Sequence, residues 1–181
     1  MERDEAYQLA KSNFSNKNLF KHVLAVEAVM RELAAHFSED VEKWGLSGLL
    51  HDLDYEATAD DPDRHTLMTE EMLRDYDIDD EIITAIKCHN DKAPREALMG
   101  KAIYAADPVT GLIVAAALMH PDKKLRSIDV PFIMRRYKEK RFAAGANREQ
   151  IQSCQDFGLS LERFLELSLN AMQKIDNELG L

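Results

Sequence analysis

The chain has 181 residues, 45% hydrophobic and 31% charged, which is enough to bury a core without disulfides and excludes intrinsic disorder. Its 33 acidic and 23 basic residues give a net charge of −10, which argues against a surface dedicated to DNA or RNA.

The first residues, Met1-Glu2-Arg3-Asp4-Glu5, are polar and acidic and lack the apolar stretch of a signal peptide. From Leu19 to Phe37, Leu19, Val23, Val26, Met30 and Leu33 recur at the spacing of one helix face. Ser38, followed by Glu39, Asp40 and Val41, reads as the N-cap of a helix running to about Asp52. A short acidic loop follows, Leu53 to Asp61. Pro62 and Asp63 open a further helix with Leu67, Met68, Met72 and Leu73 on one side, and Asp79-Asp80-Glu81 open another that carries Ile82, Ile83 and Ile86 toward His89. Pro94 is expected to start a helix that stops at Asp107-Pro108, because a proline inside a helix removes a hydrogen bond. Val109 to Met119 reads as a separate and deeply buried helix. The longest apolar run, the nine residues Gly111–Met119, is too short to span a bilayer. Helices over Ser127–Lys140, Asn147–Phe157 and Ser160–Glu178 complete the pattern. No stretch alternates with a period of two, no repeat is present, and no linker divides the chain. The expectation is one all-α domain over residues 1–181 with roughly eight or nine helices, its functional core at about 19–118 and the helices of about 127–178 packed on it.

Cys88 and Cys154 have no partner at metal-binding spacing, so Cys88 reads as a buried thiol and the chain as a cytoplasmic protein. Phosphate-binding glycine loops, a G-x-S-x-G elbow and an H-E-x-x-H helix are all lacking. The chemistry is carried by histidines. His51-Asp52 closes an apolar helix and precedes a polar loop. His22 lies 29 residues upstream on an apolar helix, and Asp107 lies downstream before Pro108. At the last turn of a helix an imidazole and a carboxylate can converge on one borderline divalent ion, which accepts both nitrogen and oxygen.

This ordered set resembles the HD-domain superfamily of metal-dependent phosphohydrolases, whose pattern is a histidine, a His-Asp doublet and a distant aspartate on separate helices of an all-α fold. The resemblance covers roughly Leu19 to Leu118. It implies a primary metal held by His22, His51, Asp52 and Asp107, with His65 and His89 where two-metal branches place additional histidines. The doublet continues Leu53-Asp54 rather than Ile-Gly, no Gly-Tyr-Pro follows His89, and His89 is followed by Asn90. The missing Gly-Tyr-Pro argues against cyclic dinucleotide hydrolysis, and Asn90 in place of a second histidine implies a second site that is weaker or occupied only with substrate. Asp52, with two oxygens, would bridge one or two divalent ions (Mn, Fe, Co, Ni, Mg or Zn). Such ions activate a water and clamp the attacking and leaving oxygens of a phosphoester. Asp54 and Glu56, just after the doublet, are candidates to accept a proton from that water or to hydrogen-bond a ligand histidine.

Between Lys123 and Arg141 there are eight basic residues against two acids. Arg135, Arg136 and Lys138 are therefore candidates to hold the phosphate of the substrate. The expected activity is phosphoester hydrolysis of a nucleotide or small phosphorylated metabolite, with no DNA binding, no membrane contact and a possible homodimer. Two other readings use the same residues: a di-iron HD-fold oxygenase, and a non-enzymatic binding or regulatory module.

Overall fold

A computed structural model describes residues 1–181 as ten α-helices without strands. In chain order these are α1 (Arg3–Asn13), α2 (Lys17–Phe37), α3 (Val41–Leu50), α4 (Leu67–Leu73), α5 (Asp80–His89), α6 (Leu98–Met119), α7 (Val130–Lys138), α8 (Arg148–Gln152), α9 (Leu161–Lys174) and α10 (Asp176–Leu179). Short 3₁₀ turns lie at Pro62–Arg64, Leu125–Ser127 and Ser153–Phe157.

Side-chain caps set most of the starts. Asp40, Asp79, Asp129, Asn147 and Ser160 each accept a backbone N–H from the first turn of the helix that follows, which satisfies donors that no intrahelical carbonyl can reach. Ser38 is not such a cap. It ends α2 in the left-handed region at φ 61°, and Asp40 two residues on is the N-cap of α3. The expected helix from Pro94 begins only at Leu98, and α1 forms in a stretch whose polar residues hid it. Ala6 and Ala10 are its buried face, and both are too small to register as an apolar stripe.

The largest departure is at Pro108. The two helices expected on either side of it are one, α6, which runs through the proline for 22 residues. Proline removes the N–H that would bond the carbonyl of Tyr104. The helix continues because Ala102, Ile103, Ala105, Ala106, Val109, Leu112 and Ile113 are all buried on both sides of it, and packing outweighs one lost bond. By length and composition α6 could cross a membrane. Here its apolar faces are covered by α2, α5, α7, α8 and α9.

Two apolar clusters share α2 as a common wall. The larger joins Ala25, Val26, Val29, Met30 and Leu33 to α6 and the C-terminal helices. The smaller joins Val23 and Leu24 to α1, α3, α4 and α5 through Leu49, Leu50, Leu53, Leu73, Ile82 and Ile86. Truncating a fully buried member such as Leu49 or Ile103 to alanine costs about 2–5 kcal/mol.

Helix α3 lies against α2 at backbone distance. A Cβ at Gly48 would stand 2.8 Å from the backbone nitrogen of Glu27 and 2.9 Å from its Cα, so this crossing requires glycine. Glu27 itself is buried at 3% exposure. Its carboxylate accepts from Arg3 at 2.7 and 3.1 Å and from Arg31 at 2.9 Å, and Arg31 also grips Glu42 at 2.7 and 2.9 Å. Four charges thereby tie α1, α2 and α3 together.

Candidate metal centre

Helices α2, α3, α5 and α6 bring His22, His51, Asp52, His89 and Asp107 to one place, and the turn before α4 adds His65. Two subsets have ligand atoms close enough together to hold a metal ion: His22, His51 and Asp107, and His51, Asp52 and His89. The carboxylate of Asp52 divides them. Its Oδ2 faces His22 Nε2 at 3.7 Å and His51 Nε2 at 3.5 Å, while its Oδ1 faces His65 Nε2 at 3.3 Å and His89 Nε2 at 3.4 Å. Asp107 Oδ1 completes the first side, 3.1 Å from His22 Nε2 and 3.9 Å from His51 Nε2.

Each imidazole is oriented through its other nitrogen. His51 and His89 stand at the C-terminal ends of α3 and α5, where carbonyls of the last turn have no helical N–H to accept. His51 Nδ1 donates to the Gly48 carbonyl at 2.8 Å, and His89 Nδ1 to that of Ile86 at 2.6 Å. His22 Nδ1 donates to Thr110 Oγ1 at 3.1 Å, whose own proton goes to the Asp107 carbonyl at 2.9 Å. His65 Nδ1 donates to Asp54 Oδ1 at 2.7 Å. With Nδ1–H committed to these anchors, each ring in its neutral form aims an Nε2 lone pair at the centre. On His65 it is Nε2, beside Asp52 Oδ1, that takes up a further proton when no metal is bound.

That arrangement fits a cation. His51 Nε2 is buried with no hydrogen-bond partner, and His65 Nε2 and His89 Nε2 face each other at 3.2 Å. Two lone pairs at that distance repel unless a proton or a metal ion lies between them and a carboxylate. The electrostatics agree. Burial keeps His51 uncharged and lowers its pKa to about 4. Burial also opposes charge on His65, but hydrogen bonds with Asp52 and Asp54 outweigh it and raise that pKa to about 9. Burial likewise works against the ionised carboxyl of Asp52, yet the surrounding imidazoles hold its pKa well below the usual carboxylate range. Asp107 is depressed in the same way by His22.

The loop after the doublet is mostly exposed, but its first acid is not. Asp54 is fully buried, and its Oδ2 accepts the Thr69 N–H at 2.9 Å. It thus caps α4, whose own N-cap residue, Thr66, makes no side-chain cap bond. Of the two roles expected for Asp54, the geometry gives the orienting one. Glu56 takes neither. Its carboxylate accepts from Ser15 Oγ at 2.6 Å, from Asn16 N at 2.8 Å and from Ser15 N at 3.2 Å, at the turn before α2 and away from the histidines.

A cavity of about 360 Å³ opens over the centre. His22, Asp52, His65, His89 and Asp107 line it together with Leu19, Tyr55, Asn90, Gly145 and Gln150. Arg135, Arg136 and Lys138 are not among the lining residues. Arg136 is paired with Glu139 at 2.8 Å and lies near the rings of Phe132 and Phe142, so the expected phosphate-binding role of this cluster does not match its position. Cys88 is buried as expected, its thiol 3.4 Å from the Pro94 carbonyl. Thr110, Tyr55, Gly145 and Gln150 had no signal in the sequence. Thr110 and Gly145 share no motif with the histidines and reach the site only by packing.

A family model described as HD domain matches residues 19–125. Ribonuclease Y of Nitratidesulfovibrio vulgaris (strain DP4) is 29% identical over 101 residues, 56% of this chain and 19% of that protein. Ribonuclease Y of Lactobacillus acidophilus is 23% identical over 166 residues, 90% of this chain and 31% of that protein. Ribonuclease Y of Clostridium novyi is 24% identical over 171 residues, 90% of this chain and 33% of that protein. The chain therefore spans about a fifth to a third of the length of these relatives. No solved structure matches it.

Proposed function

Because the chain belongs to the HD domain family, with more than half of its length inside the family match, we propose that it is a metal-dependent phosphohydrolase acting on a phosphoester of a nucleotide or of RNA. The observation that carries this reading is the division of Asp52 between two nitrogen-rich groups, each with its Nε2 atoms aimed at the carboxylate. His22, His51, Asp52 and Asp107 would hold one divalent ion, and Asp52, His65 and His89 a second. When bound, such ions lower the pKa of a coordinated water and offset negative charge on phosphoryl oxygens.

The chain's own residues supply the rest. The Nδ1 anchors keep the imidazoles aimed inward, so little reorganisation is needed when an ion enters. Asp54 holds His65 in place and is not among the residues that line the cavity, so it serves as an orienting group and not as the proton acceptor for a water. Ribonuclease Y is named for ribonuclease activity, which favours a nucleotide or RNA over the broader class of small phosphorylated metabolites.

Elemental analysis of protein purified without chelators, with turnover assays on RNA oligonucleotides and nucleoside phosphates, tests the reading. The expected result is up to two ions per chain and metal-dependent release of product, both lost in His51→Ala and Asp52→Ala. Retained turnover in both variants overturns it. So does oxygen consumption by the iron-loaded protein with no phosphoester cleaved under any metal.

A further inference from the structure

The floor of the cavity lies inside the family match at residues 19–125, but two of its lining residues, Gly145 and Gln150, lie beyond it. Gly145 lies in a segment with little regular structure of its own, and Gln150 lies in the first turn of α8 just after it. Between the end of α7 and the start of α8, Phe142 N bonds Glu139 O and Ala146 N bonds Ala143 O. Ala143 sits at φ 43°, in the left-handed region that a residue with a Cβ avoids.

One side chain holds this segment in shape. The Arg148 guanidinium donates to the carbonyls of Tyr137 at 3.1 Å, Phe142 at 2.5 Å, Ala143 at 3.1 Å and Ala146 at 2.6 Å. Tyr137 returns its hydroxyl proton toward the Arg148 carbonyl at 3.1 Å and lies at 5.5 Å from the guanidinium. Four carbonyls on one planar fork fix the path of the chain from residue 137 to residue 146. The first turn of α8 then delivers Gln150 to the cavity, where its side-chain amide has no hydrogen bond within the protein. Tyr55 lines the same cavity, is 46% exposed, and meets the His65 ring edge-on at 5.6 Å.

We propose that the segment 139–150 is the wall that selects the substrate's organic part, with Gln150 reading a nucleobase or ribose that rests on Tyr55 and Arg148 as the positioning residue that holds the wall. An exposed aromatic face accepts any base by stacking, and a free amide offers both a donor and an acceptor to a base edge or a sugar hydroxyl. A bare phosphate would touch neither. This rests on the phosphohydrolase reading for the placement of the phosphate over the metal ligands.

Calorimetric titration of the metal-loaded protein with the non-hydrolysable phosphonate analogue of adenosine 5′-monophosphate and, separately, with inorganic phosphate tests it without turnover. The nucleotide analogue should bind the wild type more tightly than phosphate. Gln150→Ala should weaken nucleotide binding by about tenfold, the worth of one lost hydrogen bond, and leave phosphate binding unchanged. Arg148→Ala should do the same, and Arg148→Lys should not restore it because a single ammonium cannot reach four carbonyls. If Arg148→Ala fails to fold, Gln150→Ala decides the matter alone, because its side chain supports no other residue. Equal affinity of the wild type for the two probes overturns the proposal, as does an equal loss of both, or of neither, in Gln150→Ala. A failure of the phosphohydrolase reading is separately visible, as selective binding of the analogue without turnover of nucleotides or RNA under any metal.

Discussion

On one side of Asp52, His22 and His51 stand on or at the end of helices buried in the body of the fold, and His51 is anchored to a main-chain carbonyl. On the other side, His65 stands in a turn between a 3₁₀ segment and α4, and its anchor is the carboxylate of Asp54. A backbone anchor survives almost any substitution that keeps the helix. A side-chain anchor is lost with one codon. Each side carries one anchor of each kind, since His22 rests on the Thr110 hydroxyl and His89 on the Ile86 carbonyl. The sides differ in that His22 stands within α2 while His65 stands in a turn, and the turn is where metal affinity can be tuned with least disturbance to the core.

Removing the shared element collapses the contrast and gives the largest effect. Asp52→Ala should empty both positions and lower kcat by about a thousandfold or more, since metal activation is worth several kcal/mol. Elemental analysis and steady-state kinetics would show both losses. Asp54→Ala sharpens the contrast. It should weaken metal binding on the His65/His89 side by about 10–100-fold and leave the His22/His51 side in place, so titration should resolve one tight site and one weak one. The same change uncaps α4 and should lower Tm. Two sites weakened alike would mean that the sides are not independent.

Gly48→Ala attacks the His22/His51 side through its frame. The added methyl meets the backbone of Glu27, and overpacking of this kind costs about 1–3 kcal/mol, measurable by denaturant unfolding. It should also disturb His51, whose anchor is the Gly48 carbonyl.

pH separates the sides again. With its folded pKa raised to about 9, His65 contributes stability to the metal-free protein that is full below about pH 6.5 and is lost as pH rises toward 9. Metal must displace that proton, so affinity at the His65 side should tighten over the same interval. His51, lowered to about 4, has the opposite sign: stability falls as pH drops from about 6.5 toward 4, because the unfolded chain takes up a proton that the folded one refuses. Thermal melts of chelator-treated protein across pH check both. The smallest effect is expected from Glu56→Gln, which loosens the Ser15–Asn16 turn and should lower Tm slightly with kcat unchanged.

The histidines and aspartates were legible because metal chemistry restricts ligands to few residue types and their order along the chain survives folding. Their supports were less so. Gly48 and Ile86 act through main-chain carbonyls, which any residue possesses, and Thr110 meets His22 across 88 positions of sequence. Pro108 misled because local cost was weighed without the burial on either side of it. For the basic run at Lys123–Arg141 a count of charges carries no information on which way a helix faces. Glu56 lay close to the doublet in sequence, but the turns after Asp52 carry it to the start of α2. Asp54, two residues nearer, is turned inward.

The buried carboxylate of Glu27 constrains how this sequence can drift. Arg3 and Arg31 both depend on it, and Arg31 also holds Glu42. Replacing Glu27 alone leaves Arg3 without its carboxylate and Arg31 with Glu42 only, whereas replacing Arg3 or Arg31 removes a donor from a carboxylate that is itself buried. These positions should therefore change together or not at all among diverging descendants. A laboratory library that randomises them one at a time should return mostly losses, and one that randomises them jointly is where alternative solutions would be found.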